Sequence, residues 1–247
     1  MLFRSADFRL ADAQAWTHYY GGEHPGTWPY GLPELPGARD AIAAATRVAN
    51  PGCYPTSVAV AMAPLLRAGV GEPRDVVVVA ASGTSGAGRR VSDALLASTV
   101  LGDISAYKVG GLHQHTPEME QTLSSAANTE VKVSFTPMLA PIARGILATC
   151  SMSVDMSVDV HGILADAYRD EPFVTVLPRG QWPHVSSVAG TNQVHLQGAY
   201  DEHSRRVVVV SCIDNLGKGA AGQAVQNANI VCGFDETLGL TLIGASP

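Results

Sequence analysis

Asn50-Pro51-Gly52-Cys53-Tyr54-Pro55-Thr56-Ser57 runs directly into the apolar stretch Val58-Ala59-Val60-Ala61-Met62-Ala63. An Asn-Pro-Gly turn that opens on a dense apolar run predicts a buried helix over residues 53–66, with Pro64 kinking or ending it. Cys53 then stands at the helix N-terminus, where backbone N–H groups lack partners and the helix dipole favours negative charge. A thiol so placed tends to ionise, and the thiolate is the reactive form. The competing reading is a buried, inert cysteine. The turn also sets the order of the fold, because a loop-rich approach lies before it and regular elements lie after it.

Upstream, residues 11–20 read as a short helix with Asp12 near its start, and residues 21–37, with five Gly and four Pro, read as an irregular loop. Downstream, Val76-Val77-Val78-Val79 is a β-branched run without alternation, as expected of a strand buried on both faces. It leads into Ser82-Gly83-Thr84-Ser85-Gly86-Ala87-Gly88-Arg89-Arg90, a strand-end turn whose backbone N–H groups can face an anion. The turn matches neither a Walker loop nor G-x-G-x-x-G. Residues 91–99 read as helix. His113 and His115 share one face if their segment is extended. Thr116-Pro117-Glu118 starts a further helix, with Thr116 as N-cap and the acidic side chain in the first turn. Residues 131–135, 144–154, 173–177, 193–200 and 205–212 read as strands, with 201–204 as a hairpin turn. Residues 158–169 and 218–231 read as helices, and 233–247 as an apolar tail with room for one more strand. A strand-rich second half argues for a mixed or antiparallel sheet with helices on one face.

Composition narrows the function classes. A net charge of -6 gives no electrostatic case for nucleic acid or an anionic membrane. Cys53, Cys150, Cys212 and Cys232 are widely spaced, which suits a reduced cytoplasmic protein better than a disulfide frame or a zinc site. No apolar run reaches membrane-spanning length. No third metal ligand stands at helical spacing from the two histidines, so a metal site is not expected. A reactive Cys, a His pair and an anion loop together suit acyl transfer, since a thiolate is strongly nucleophilic and His titrates near neutrality.

Six stretches in order carry a resemblance: Ser5-Ala6-Asp7-Phe8-Arg9-Leu10, Trp28-Pro29-Tyr30-Gly31-Leu32-Pro33-Glu34, Val48 to Thr56, Ser82 to Arg89, His113-Gln114-His115-Thr116-Pro117-Glu118 and Asp214-Asn215-Leu216-Gly217-Lys218-Gly219. The sequence resembles the N-acetyl-gamma-glutamyl-phosphate reductases of arginine biosynthesis. The resemblance implies NADPH-dependent reduction of an acyl phosphate to a semialdehyde through a thioester on Cys53. It implies acid/base work by His115, or by His113 in its place. It implies substrate or phosphate binding by Arg89 and Glu118, cofactor contacts by Ser85, Gly86 and Asn215, and phosphate binding or capping of the site by Lys218. It implies a homodimer or homotetramer acting on a small molecule. Family members begin with a Gly-rich dinucleotide loop that precedes this sequence, so weak cofactor binding is expected.

The expected fold is α/β. Residues 1–52 form the remnant of a Rossmann-type dinucleotide domain, completed by the C-terminal helix of 218–247. Residues 53–217 form a glyceraldehyde-3-phosphate-dehydrogenase-like α+β catalytic and oligomerisation domain with a mixed, largely antiparallel sheet. Three alternatives stand beside the reductase: an enzyme for another acyl phosphate such as aspartyl phosphate, a non-catalytic oligomerising fragment, and a Cys–His hydrolase.

Overall fold

The helix that begins at Cys53 is the axis of the molecule. In the computed structural model, which describes residues 2–4, 7–88 and 93–244, it spans Cys53–Arg67 (α3) and buries twelve of its fifteen residues. A helix apolar on every side belongs at the centre of a fold. Pro64 does not end it. Proline removes the N–H that would bond to Val60 O, and the Tyr168 hydroxyl donates to that carbonyl at 2.7 Å instead.

Before α3 come β1 (Leu2–Arg4), α1 (Ala13–Tyr20), α2 (Ala38–Ala43) and β2 (Arg47–Ala49). Asp12 caps α1, its Oδ1 accepting from the N–H groups of Gln14 and Ala15. β1 and β2 pair in parallel, and Tyr30 bridges to Ala49. After α3 come β3 (Val76–Ser82), α4 (Ala97–Val100), β4 (Ser105–Ala106), α5 (Thr116–Ala127), β5 (Val133–Leu139), β6 (Ile146–Ser153), α6 (Val160–Ala167), β7 (Val174–Val176), α7 (Val185–Val188), β8 (Val194–Asp201), β9 (Arg206–Ile213) and α8 (Gly222–Cys232).

Seven strands form one sheet in the order β4-β5-β3-β6-β9-β8-β7. The β3–β5 and β7–β8 pairs are parallel and the other four are antiparallel, so the sheet is mixed and largely antiparallel as expected. One face, with Val78, Phe135, Ala148, Leu196 and Val209, shares a single core with α3, α5 and α6. The opposite face carries Val77, Val79, Thr149, Val208 and Val210, all half-buried or exposed. The C-terminal helix α8 packs on α2, and Asn227 Nδ2 donates to Gly31 O and Asn50 Oδ1.

Several local expectations need correction. The helix over 91–99 is not continuous: residues 91–92 lie outside the described ones, Asp93–Leu95 is a 3-10 turn and only Ala97–Val100 is α-helical. His115, not Thr116, occupies the N-cap of α5. The last helix is broken in two, a π-helical turn at Gly217–Ala221 preceding α8. Among the described residues of 233–244 there is no strand.

Candidate active site

The turn before α3 is held from below by one carboxylate. Glu118, fully buried in the first turn of α5, accepts from Gly52 N at 2.8 Å and from the Tyr30 hydroxyl at 2.8 Å through Oε1. Its Oε2 accepts from Arg9 Nη1 at 3.1 Å, while Arg9 Nε donates to Asn50 O at 2.7 Å. The N-terminal segment, the Asn50–Gly52 turn and α5 are thereby joined at one point. A buried ion pair is tolerated when further hydrogen bonds satisfy it, and here Tyr30, Gly52 and Asn50 do so.

His115 lies against the same turn. A Cβ on Gly52 would come within 2.7 Å of His115 Nε2 and 3.0 Å of Arg9 Nη1, so only glycine lets the imidazole and the guanidinium approach the backbone beside Cys53. From the other side, a Cβ on Gly219 would meet Cys53 Cβ at 2.8 Å. The Gly217–Ala221 turn therefore comes into direct contact with the cysteine. Asp214 fixes that turn, accepting from the N–H groups of Gly190, Leu216 and Gly217 and pairing with Arg144 at 3.0 Å.

His113 is buried, and its Nδ1 accepts from His115 N at 3.1 Å, so its proton sits on Nε2. The two rings stand 4.9 Å apart and meet Tyr54 edge-on. Burial pushes both imidazoles down to about 3, and the Lys108 ammonium adds to this at both and Arg9 at His115. Each is therefore a neutral base at pH 7. Cys53 departs from the sequence expectation. The Tyr54 N–H and the Arg9 charge favour its thiolate, but burial outweighs them and pushes the thiol up to about 11. The helix terminus lowers the thiol's pKa, yet packing by protein atoms wins in the unliganded site.

Two hollows meet at this point. The first, about 530 Å³, is lined by Arg9, Cys53, Ser85, Gly86, His115 and Asn215, with Gly219, Ala220 and Ala221 along one wall. The second, about 550 Å³, is lined by Cys53, Tyr54, Tyr107, Lys108, His113 and His115. Cys53, Gly86 and His115 belong to both. The first is walled on one side by Leu216, Gly219, Ala220, Ala221 and Ala224, an apolar surface made mostly of small residues. Asn215 donates to Ser85 Oγ at 3.1 Å and accepts from Gly145 N at 2.6 Å, which fixes Ser85 at the rim.

Of the residues expected from the sequence, Cys53, His115, Ser85, Gly86 and Asn215 line one hollow together, and His113 lines the second. Glu118 lines neither, and both its oxygens are engaged behind Gly52. Arg89 lies outside the described residues. Lys218 does not reach the site: it is fully buried and its Nζ donates to Glu34 Oε1 at 2.6 Å and Gln226 Oε1 at 2.7 Å. Sequence reasoning gave no role to Arg9, Tyr30, Tyr107 or Lys108. Arg9 and Tyr30 lie in stretches that carry the family resemblance, and that is the signal the sequence offers for them.

The chain is similar to known proteins over nearly its whole length. Residues 53–215 match the family model of the semialdehyde dehydrogenase dimerisation domain. Over 245 residues the chain is 61% identical to the N-acetyl-gamma-glutamyl-phosphate reductase of Acidothermus cellulolyticus, covering 98% of this chain and 71% of that protein. The namesake of Streptomyces coelicolor is 54% identical over the same coverage. Aspartate semialdehyde dehydrogenase II of Vibrio cholerae shares the fold, with a TM-score of 0.65 at 20% identity over 83% of this chain and 68% of that one. A probable aspartate-semialdehyde dehydrogenase of Pseudomonas aeruginosa gives a TM-score of 0.61 at 16% identity, over 86% and 70%.

Proposed function

The chain belongs to the N-acetyl-gamma-glutamyl-phosphate reductases, and from that premise we propose that Cys53 is its acyl-accepting nucleophile and His115 its proton carrier. The protein is an oxidoreductase of arginine biosynthesis that reduces the acyl phosphate of N-acetyl-gamma-glutamyl phosphate to the semialdehyde. The observation that supports the residue roles is the wall shared by the two hollows, to which Cys53 and His115 both belong.

Cys53 Sγ bonds to the acyl carbon as the carbon–phosphate oxygen bond breaks. Thiol and imidazole are both neutral beforehand, so the proton passes to His115 Nε2 while the sulfur attacks. The Cys53 and Tyr54 N–H groups at the start of α3 and the Arg9 guanidinium are suited to take the oxyanion. A reduced nicotinamide dinucleotide, which we assign as NADPH, would supply a hydride, two electrons and the new hydrogen, to the thioester carbon; Ser85, Gly86 and Asn215 would hold it. His115 returns its proton to the carbonyl oxygen, and collapse of the resulting thiohemiacetal on Cys53 releases the aldehyde. His113 orients His115 through the backbone bond to its N–H. Glu118 positions the Cys53 turn, and Arg89 remains our candidate for the phosphate.

We assign residues 53–217 to the catalytic and oligomerisation unit, and residues 1–52 with 218–247 to the dinucleotide side. The sheet face carrying Val79, Val208 and Val210 is the surface we assign to a second copy of the chain. Cytoplasmic residence is our reading of four free cysteines. Among the described residues no helix is long and apolar enough to cross a membrane.

A steady-state assay with N-acetyl-gamma-glutamyl phosphate and NADPH tests the reading. Replacing the nucleophile in Cys53→Ser is expected to lower turnover by at least about 10³-fold. Equal turnover by the variant would overturn the assignment of Cys53.

A further inference from the structure

The hollow on the Tyr107 side of Cys53 carries one basic side chain of the lysine or arginine type among its described lining residues, Lys108. Three observations set this lysine apart. Its backbone sits at φ +45°, in the left-handed region that glycine enters freely and other residues enter at a cost. The nearby Gly110 and Gly111 share that hand, at φ +76° and +79°, so Lys108 holds a place in the turn that glycine would suit better. Strain of this kind persists where the surrounding structure imposes it, and it clusters at binding and catalytic sites.

The second observation is charge balance. Lys108 Nζ donates to the amide oxygen Gln114 Oε1 at 2.6 Å, and among the described residues no carboxylate pairs with it. Arg9, the cation of the neighbouring hollow, is neutralised by Glu118 at 3.1 Å. Among the described residues, the unbalanced positive charge at the Cys53 junction is thus that of Lys108. The third observation is reach: the Lys108 charge is felt at both His113 and His115, which it helps to keep neutral.

We propose that Lys108 is a specificity-determining residue whose ammonium takes an anionic group of the substrate, carboxylate or phosphate, in the hollow between Tyr107, His113 and Cys53. The proposal rests on Cys53 being the acyl acceptor. The left-handed backbone holds the side chain at the mouth of the hollow, and Gln114 steadies it until an anion takes over the Nζ donors. A charge-assisted bond of this kind is stronger than the neutral one it replaces.

Alkylation of Cys53, read on its own peptide by mass spectrometry, tests this without turnover. Iodoacetate is anionic and iodoacetamide is neutral, so their rate ratio reports the cation. Lys108→Ala and Lys108→Gly are expected to lower that ratio about tenfold, the loss of one charge-assisted contact, with Lys108→Arg close to wild type. Lys108→Gly suits the backbone and so separates loss of charge from misfolding. Inorganic phosphate and N-acetylglutamate, added as protectants, distinguish the two anions: the one whose protection is lost in Lys108→Gly is the group held. In the reductase assay the same variants should raise KM about tenfold with kcat changed less than about threefold. An unchanged alkylation ratio and unchanged protection in Lys108→Gly overturn the proposal, and if wild-type turnover is present the reductase reading survives. A shifted ratio in a protein that forms no acyl adduct on Cys53 with the acyl phosphate leaves the cation site standing and overturns the reading of Cys53 as acyl acceptor.

Discussion

Two buried acid–base pairs anchor the two turns that converge on Cys53, and they have opposite fates. Arg9–Glu118 holds the Asn50–Gly52 turn, and Arg9 opens on the hollow beside Cys53. Lys218–Glu34 lies under the Gly217–Ala221 turn with both side chains fully enclosed, the ammonium lying 5.5 Å from the Phe173 ring. The chemistry of the pairs is similar, but their access differs. Arg9 keeps guanidinium donors available at the wall of a hollow, whereas Lys218 spends its own on Glu34 and Gln226. One pair can therefore act on a bound anion and the other can only fix the backbone.

The largest expected effect separates stability from catalysis at the first pair. Glu118→Ala leaves Arg9 buried without its partner and frees Gly52 N, a loss of about 3–5 kcal/mol in unfolding free energy. Urea unfolding measures this. The double variant Arg9→Met/Glu118→Leu should regain most of the stability and none of the turnover. Lys218→Met is expected to cost a similar amount, about 3–5 kcal/mol, because it strands Glu34. Here Lys218→Met/Glu34→Leu should regain both stability and turnover. Equal recovery of activity at the two pairs would erase the distinction drawn between them.

A smaller effect concerns protons. The folded pKa of His113 and His115 lies near 3, below the unfolded value of about 6.5. Below pH 6.5 the unfolded chain binds protons that the folded chain refuses, so stability falls as pH drops from 6.5 toward 3. His115→Asn should flatten that limb in unfolding titrations, and an unchanged limb would mean that the imidazole is not held neutral. Cys53 shifts the other way. Its thiol titrates near 11, so its alkylation rate in the unliganded protein should climb through pH 9 and reach half-maximum near 11. A midpoint near 6 would mean a preformed thiolate paired with imidazolium.

How far the sequence reached depended on the range of the physics involved. The start of α3, the strand at Val76–Ser82 and the β8–β9 hairpin were legible because turn chemistry and apolar runs act locally. Pro64 was misleading, because the hydroxyl that rescues Val60 O comes from Tyr168, far along the chain. Lys218 was misleading for the same reason: nothing near it in sequence announces Glu34. The helix expected over residues 91–99 is interrupted among its described residues, where Leu96 stands exposed and so adds nothing to a buried face. The role of Arg9 is not visible locally, because its partner Glu118 lies 109 residues away. The helix-terminus electrostatics that favours a Cys53 thiolate is visible in sequence, whereas the packing that outweighs it is a tertiary property.

The most direct test of Cys53 as acyl acceptor mixes the protein with N-acetyl-gamma-glutamyl phosphate in the absence of any reductant. Released phosphate and the mass of each cysteine-containing peptide are then measured. The account predicts one phosphate released per chain in a single burst, with the matching acyl adduct on Cys53 and none on Cys150, Cys212 or Cys232. An adduct on another residue, or no burst and no adduct from a folded protein that binds the acyl phosphate, would contradict it.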